Sequence, residues 1–166
     1  MTIKNNDILA QAVQTAVKLL ARRDVSKREL NDYLKKKQFD SAVIDEAVSY
    51  LINKNWFNEA RCATELCESK LRRTPAGPRF LRQFLKGKQF SQQVIDETVT
   101  RLYTRYSEQG LAQKNAKIKL KSLQRKFQFN NQDKIKYTLK NFLVRRGFSE
   151  HIIESIIDDL DRFEEK

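Results

Sequence analysis

The stretch LKNFLVRRGFSEHIIESIIDDL, Leu139 to Leu160, decides how this chain folds, because the same pattern is written twice more upstream. LNDYLKKKQFDSAVIDEAVSYL occupies Leu30 to Leu51, and LRQFLKGKQFSQQVIDETVTRL occupies Leu81 to Leu102. Phe39, Phe90 and Phe148, the anchors of the alignment, stand 51 and 58 positions apart. Around them Leu30, Leu81 and Leu139 form one column, and Tyr33-Leu34, Phe84-Leu85 and Phe142-Leu143 the next. Val43-Ile44, Val94-Ile95 and Ile152-Ile153 follow, then the acids Asp45, Asp96 and Glu154, then Val48, Val99 and Ile157, and finally Leu51, Leu102 and Leu160. Fixed apolar columns recurring at this period mark one supersecondary unit repeated in tandem. Stacked units of that kind build extended binding surfaces rather than closed catalytic clefts.

Working outward, each copy reads as helices. Four Gly and two Pro in 166 residues leave little material for hairpins, and the Leu, Lys, Ala, Gln and Arg content favours helix. The expected fold is all-α, an elongated array of three tandem three-helix repeats, about nine helices, bounded at residues 1–57, 58–109 and 110–166. Leu9, Val13, Ala16 and Leu20 keep helical spacing and predict an amphipathic helix from about Asp7 to Arg23. Ser26, with Glu29 three positions on, is a capping box opening the next helix, which stops near Lys37. Asp40, Ser91 and Ser149 follow the repeat phenylalanines, where their side-chain oxygens can cap the third helix of each copy. That helix should bury Ile44, Val48 and Leu51, then Ile95, Val99 and Leu102, then Ile153, Ile157 and Leu160. The leading helix of the second copy should run from about Glu59 to Arg73 with Ala63, Leu66, Cys67 and Leu71 inward, and Pro78 suits the first turn of the helix after it. Gly110 is read as the end of the preceding helix. Ala116, Leu120, Leu123 and Phe127 mark the third leading stripe, up to Phe129-Asn130-Asn131.

Lysine and arginine number 33 against 21 acids, a formal net charge of +12, and the excess is spread over all three copies. Two acid-free stretches stand out. The first holds Lys70, Arg72, Arg73, Arg79, Arg82, Lys86 and Lys88. The second holds Lys114, Lys117, Lys119, Lys121, Arg125 and Lys126. Lys114, Lys117, Lys121 and Arg125 fall at i, i+3, i+7 and i+11, opposite the Ala116-Leu120-Leu123 stripe, so one ridge is cationic and the other is core. A basic helix face can be a solvated surface; two such stretches on a chain of pI about 9.8 favour a polyanionic partner, nucleic acid or nucleoprotein. Arg145 and Arg146 can also serve simply to offset a helix dipole ahead of the capping Gly147.

Catalytic and metal chemistry find no support. His151 is the single histidine, and no HExxH, paired CxxC or Gly-rich phosphate loop occurs. Cys62 and Cys67, five apart on one helix, point about 140° apart, a poor arrangement for a disulfide or a shared metal. They read as small buried apolar side chains. Asp158, Asp159, Asp161, Glu164 and Glu165 read as a solvated acidic end. No enzyme, cofactor or metal is expected. Neither a signal-peptide core nor a membrane-length apolar run appears, which points to the cytoplasm and no membrane partner.

The run from Lys140 to Ile157, an apolar pair, two basic residues, Gly-Phe-Ser and an Ile-rich helix, resembles the closing pattern of the RecX regulators of the bacterial recombinase RecA. Asn55-Trp56-Phe57-Asn58-Glu59-Ala60-Arg61-Cys62-Ala63 is similar to a second passage of that family. In it Asn55 takes a left-handed cap, Asn58 caps the next helix, and Phe57 and Cys62 form a hydrophobic staple. Cys62 replaces the Phe favoured there, and Thr74-Pro75-Ala76-Gly77-Pro78 matches the family's Gly-Pro linker loosely. The resemblance runs from about Ile8 to Phe163. It implies a cytoplasmic protein, expected as a monomer, that lodges in the RecA filament on DNA and modulates, mainly inhibits, its ATPase, strand-exchange and co-protease activities. The partner-facing basic residues would be Arg72, Arg73, Arg79, Arg82, Lys86, Lys88, Lys114, Lys117, Lys121, Arg125, Arg145 and Arg146. The competing expectation is a helical-repeat protein that binds single- or double-stranded DNA directly, without a dedicated recombinase partner.

Overall fold

Apolar columns at helical spacing become helices, and the helices follow one another in triplets. A computed structural model describes residues 2–127 and 132–164, and no strand occurs among them. The order is α1 (Thr2–Leu20), α2 (Lys27–Lys36), α3 (Ser41–Asn53), α4 (Glu59–Arg73), α5 (Pro78–Gly87), α6 (Gln92–Arg105), α7 (Glu108–Phe127), α8 (Gln132–Arg145) and α9 (Glu150–Glu164). The fold is thus an all-α array of three-helix repeats. In the first triplet each helix packs on the other two, as in the third. By contact density the chain divides into two compact units, Met1–Leu66 with Leu85–Thr98, and Cys67–Phe84 with Val99–Lys166.

The repeat columns are the core. Leu30, Leu34, Ile44, Leu51, Leu81, Leu85, Ile95, Leu102, Leu139, Leu143 and Phe148 are all essentially inaccessible, and fully burying one such side chain contributes about 1.5–3 kcal/mol. Three details depart from the sequence reading. In α1 the buried residues are Ala12, Ala16 and Leu19, so of the expected Leu9-Val13-Ala16-Leu20 stripe Ala16 is buried while Leu9, Val13 and Leu20 are half-buried, the inward side being set by α3, on which α1 packs most extensively. In α9 Ile152, Ile153 and Ile156 are buried, whereas Ile157 and Leu160 pack at the margin. Gly110 does not end a helix: the break falls at Ser107, whose hydroxyl accepts the Gly110 amide at 3.1 Å and opens α7. The side chains of Phe127, Asp161 and Glu164, and residues Phe129, Asn130, Asn131 and Glu165, lie outside the described residues.

The caps account for the helix ends. Ser26 Oγ accepts the Glu29 amide at 3.0 Å and Glu29 returns a carboxylate to the Ser26 amide, completing the capping box. Asn58 Oδ1 accepts from Arg61 N at 2.9 Å, and Asn55 has φ +56°. Of the three expected third-helix caps only Ser91 uses its side chain, accepting from Val94 N at 3.4 Å. Asp40 makes no side-chain cap bond, and the Ser149 hydroxyl lies 3.1 Å from Glu108 Oε2, to which it donates.

The second helix of every copy closes identically. Gln38, Gln89 and Gly147 have φ of +67°, +63° and +76°, and the following amides of Phe39, Phe90 and Phe148 donate to Leu34, Leu85 and Leu143 carbonyls at 3.3, 3.2 and 3.4 Å. This left-handed closure spends the helix's last free carbonyls. Two copies reach it with glutamine, at a steric cost of roughly 1–2 kcal/mol that glycine avoids.

Replacing Gln89 by Gly should therefore raise stability by up to about 1 kcal/mol, read as a higher urea midpoint at unchanged m-value. Gly147→Ala should lower it by about 2–5 kcal/mol, since an added Cβ would sit 2.2 Å from Phe80 N; an unchanged midpoint would refute this account of the cap. Burial also pushes the Cys62 thiol up to about 11 and the Cys67 thiol up to about 12. At pH 8 roughly one Cys62 thiol in a thousand is then thiolate, so disulfide-reagent labelling should run more than about a hundredfold slower in the folded chain than in urea. The same upward shifts mean that the stability these thiols contribute is fully present below pH 9 and lost as pH rises through about 11 to 12.

Candidate partner-binding surface

The basic residues singled out in sequence occupy helix ends and one helix face. Arg72 and Arg73 lie in the last turn of α4, Arg79 and Arg82 on α5, and Arg145 closes α8. Between the first two groups runs the turn Thr74–Gly77, held from three directions. Asn115 Nδ2 on α7 donates to the Pro75 carbonyl at 2.9 Å, and the Tyr103 hydroxyl on α6 donates to the Ala76 carbonyl. The α8–α9 turn supplies the third tie: Gly77 N donates to Arg146 O at 2.8 Å and Arg79 N to Gly147 O at 3.1 Å. Two bare backbones meet there. A Cβ on Gly77 would stand 2.2 Å from Gly147 O, so only glycine admits the pair.

This junction gathers Arg79, Arg145 and Arg146 into one neighbourhood. Some of its cations are already occupied by aromatic rings. Lys119 Nζ and the Arg146 guanidinium both sit over Phe142, at 5.4 and 5.3 Å from the centroid, and Lys70 Nζ lies 5.5 and 5.6 Å from the Phe80 and Phe84 rings. Each such contact is worth about 0.5–1 kcal/mol at a partly exposed site, so these side chains are fixed in place with charge still unneutralised. Arg72 is drawn to Glu68, 3.8 Å away, which Arg105 also approaches at 3.3 Å. Arg82 is half-buried near Tyr103. Burial, more than the nearby Glu108 and Cys67 charges, pushes the Tyr103 hydroxyl well above its usual range, and Arg82 offsets part of that.

Lys114, Lys117, Lys121 and Arg125 stand exposed along α7, with no ion pair to any described residue. Lys86 and Lys88 fall in the other compact unit, Met1–Leu66 with Leu85–Thr98. Sequence reasoning missed Asn115, Tyr103 and the aromatic seats Phe80, Phe84 and Phe142. Asn115 carried a signal, since it is a polar residue beside Ala116 in an apolar stripe and is buried. A second surface also went unread. Leu9, Val13, Val17, Tyr50 and Trp56 line a groove of about 610 Å³ on the first triplet, where Tyr50 and Trp56 meet edge-on at 6.0 Å.

Among the described residues no three His, Cys, Asp or Glu side chains are grouped to hold a metal ion, and no helix is long and apolar enough to cross a membrane. What the junction and the α7 face present is positive charge on closely tied backbone.

Comparison with known proteins agrees with this fold and finds RecX proteins as relatives. Residues 12–51, within α1 to α3, match the model of the RecX first three-helix domain. The regulatory protein RecX of Oceanobacillus iheyensis is 27% identical over 163 residues, covering 98% of this chain and 58% of that protein. RecX of Listeria welshimeri is 24% identical over 156 residues, covering 92% and 55%. The chain therefore spans a little over half the length of these curated relatives. The crystal structure of RecX from Lactobacillus salivarius superposes with a TM-score of 0.81 at 19% identity, covering 94% of this chain and 98% of that one. A second RecX crystal structure gives 0.77 at 19% identity, covering 95% and 76%. A match to the RecX first three-helix domain over residues 12–51, RecX relatives along nearly the whole of this chain and the fold it shares with RecX structures together support reading it as a RecX-family protein.

Proposed function

We propose that this chain regulates a recombinase filament: it binds RecA assembled on DNA and restrains its ATP hydrolysis, strand exchange and co-protease activity, in the cytoplasm and without catalysis of its own. The single observation that carries this reading furthest is the pairing of RecX-like repeats with a cationic ridge on α7 that has no ion-pair partner among the described residues. Repeats bounded near residues 57 and 109 would present that ridge and the Arg79–Arg145–Arg146 junction as parts of one partner-facing surface. Exposed cations along one helix face repel one another, and that repulsion is offset when a polyanion docks. A nucleoprotein filament supplies such a surface through both its protein and its phosphates.

Adding the protein to RecA on single-stranded DNA should lower ATP turnover at amounts well below the recombinase. Substituting Lys114, Lys117, Lys121 and Arg125 together by Glu should abolish that inhibition while circular dichroism shows unchanged helix content. Full inhibition by the charge-reversed protein would remove the ridge from the mechanism. A protein that instead bound naked DNA equally with and without recombinase, with a log–log salt slope near −0.9 per phosphate neutralised, would be the direct DNA binder.

A further inference from the structure

The outward face of α7 is not purely cationic. No acid follows Glu108 as far as Phe127, and within the ridge stands Ile118, 63% exposed. At 100° per residue it falls in the same angular sector as Lys114, Lys121 and Arg125. Helix α8 packs directly on α7 and exposes Tyr137 and Val144, at 70% and 53%. These are seven residues apart, hence on one face, with Lys140 between them. In the unit Cys67–Phe84 with Val99–Lys166, these three are the large apolar side chains left exposed among the described residues.

Phosphate recognition draws on cations, hydroxyls and amides, and gains nothing from an isoleucine held in water among lysines. Protein recognition does gain, because affinity concentrates in apolar anchors enclosed by a polar rim. We propose that the α7–α8 outer surface docks an acidic amphipathic segment of a protein partner, with Ile118 as the buried anchor and Lys114, Lys117, Lys121 and Arg125 pairing with carboxylates around it. Charge complementarity selects this occupant: four α7 cations with no ion-pair partner among the described residues, and no acid on α7 beyond Glu108, outweigh the single exposed Asp133 at the start of α8 and disfavour a basic helix. The proposal deepens the regulator reading, on which it rests for the role of the ridge, by naming protein rather than nucleic acid as what the ridge grips.

The test uses the whole chain and three fluorescent probes: a helical peptide of about twenty residues with a leucine stripe flanked by glutamates, the same peptide with serine for leucine, and single-stranded oligothymidylate. By anisotropy the leucine peptide should bind about tenfold or more tightly than the serine peptide. Ile118→Ser should erase that preference and leave oligothymidylate binding unchanged, with Ile118→Ala as a milder variant and circular dichroism as the folding control. Lys114→Gln with Lys121→Gln should weaken both peptides. Equal binding of the two peptides, binding of neither, or a preference that survives Ile118→Ser overturns the proposal. Oligothymidylate outcompeting both peptides, and lost only on removal of the lysines, assigns the ridge to nucleic acid. These outcomes do not depend on recombinase: an ATPase unaffected by the native chain would sink the regulator reading while the peptide preference still decides this one.

Discussion

The polar ties of one short turn, Thr74 to Gly77, fasten the α4–α5 connection to α6, α7 and the α8–α9 turn. Its Pro75 carbonyl is taken by Asn115, its Ala76 carbonyl by Tyr103, and its Gly77 amide by the Arg146 carbonyl. Buried backbone groups left without partners would each cost about 1–3 kcal/mol, so the turn and the side chains that reach it stand or fall together. That requirement explains why α7 tolerates an amide at Asn115 in its buried face, and why the only residue type admitted at Gly77 and Gly147 is one without a Cβ. A loop that looks like a spacer is the structural node of its unit.

The chain uses positive charge in two ways. Lys70, Lys119 and Arg146 lay their stems and charged heads against Phe80, Phe84 and Phe142, where they cover apolar surface and lose mobility. Lys114, Lys117, Lys121 and Arg125 do neither and stay in water. The first group shapes the surface and the second leaves it available. Net charge alone does not separate them, since the two groups are interleaved on α7 itself, with Lys119 between Lys117 and Lys121.

Much of the fold was legible in sequence because it rests on local rules. The apolar columns set the core, and Ser26, Asn55, Asn58 and Pro78 set helix ends through bonds spanning at most a few residues. The span of α4 follows from the same logic. What escaped depends on distant partners. Ser149 looks like a cap until Glu108, far back in the chain, takes its hydroxyl. Gly110 looks like a stop until Ser107 captures its amide and begins a helix. The inward side of α1 is chosen by α3, and no stripe counted along α1 alone reveals it. The site was legible as composition but not as geometry: an acid-free stretch named Arg79 and the basic pair ahead of Gly147 named Arg145 and Arg146, whereas the Gly77–Gly147 contact that gathers these three is a long-range backbone pairing.

The left-handed residue ahead of each repeat phenylalanine serves one geometric purpose in all three copies, yet its surroundings differ. Around Gly147 the Phe80 backbone closes in, and glycine is the only residue that fits. Interchange of the modules is consequently one-way at this point. The last copy could be transplanted upstream with its cap intact, whereas an upstream copy moved to the end would bring a glutamine into a gap with no room for it. Shuffling or duplicating segments of such an array is constrained less by the greasy interior, which the copies share, than by this single vacancy.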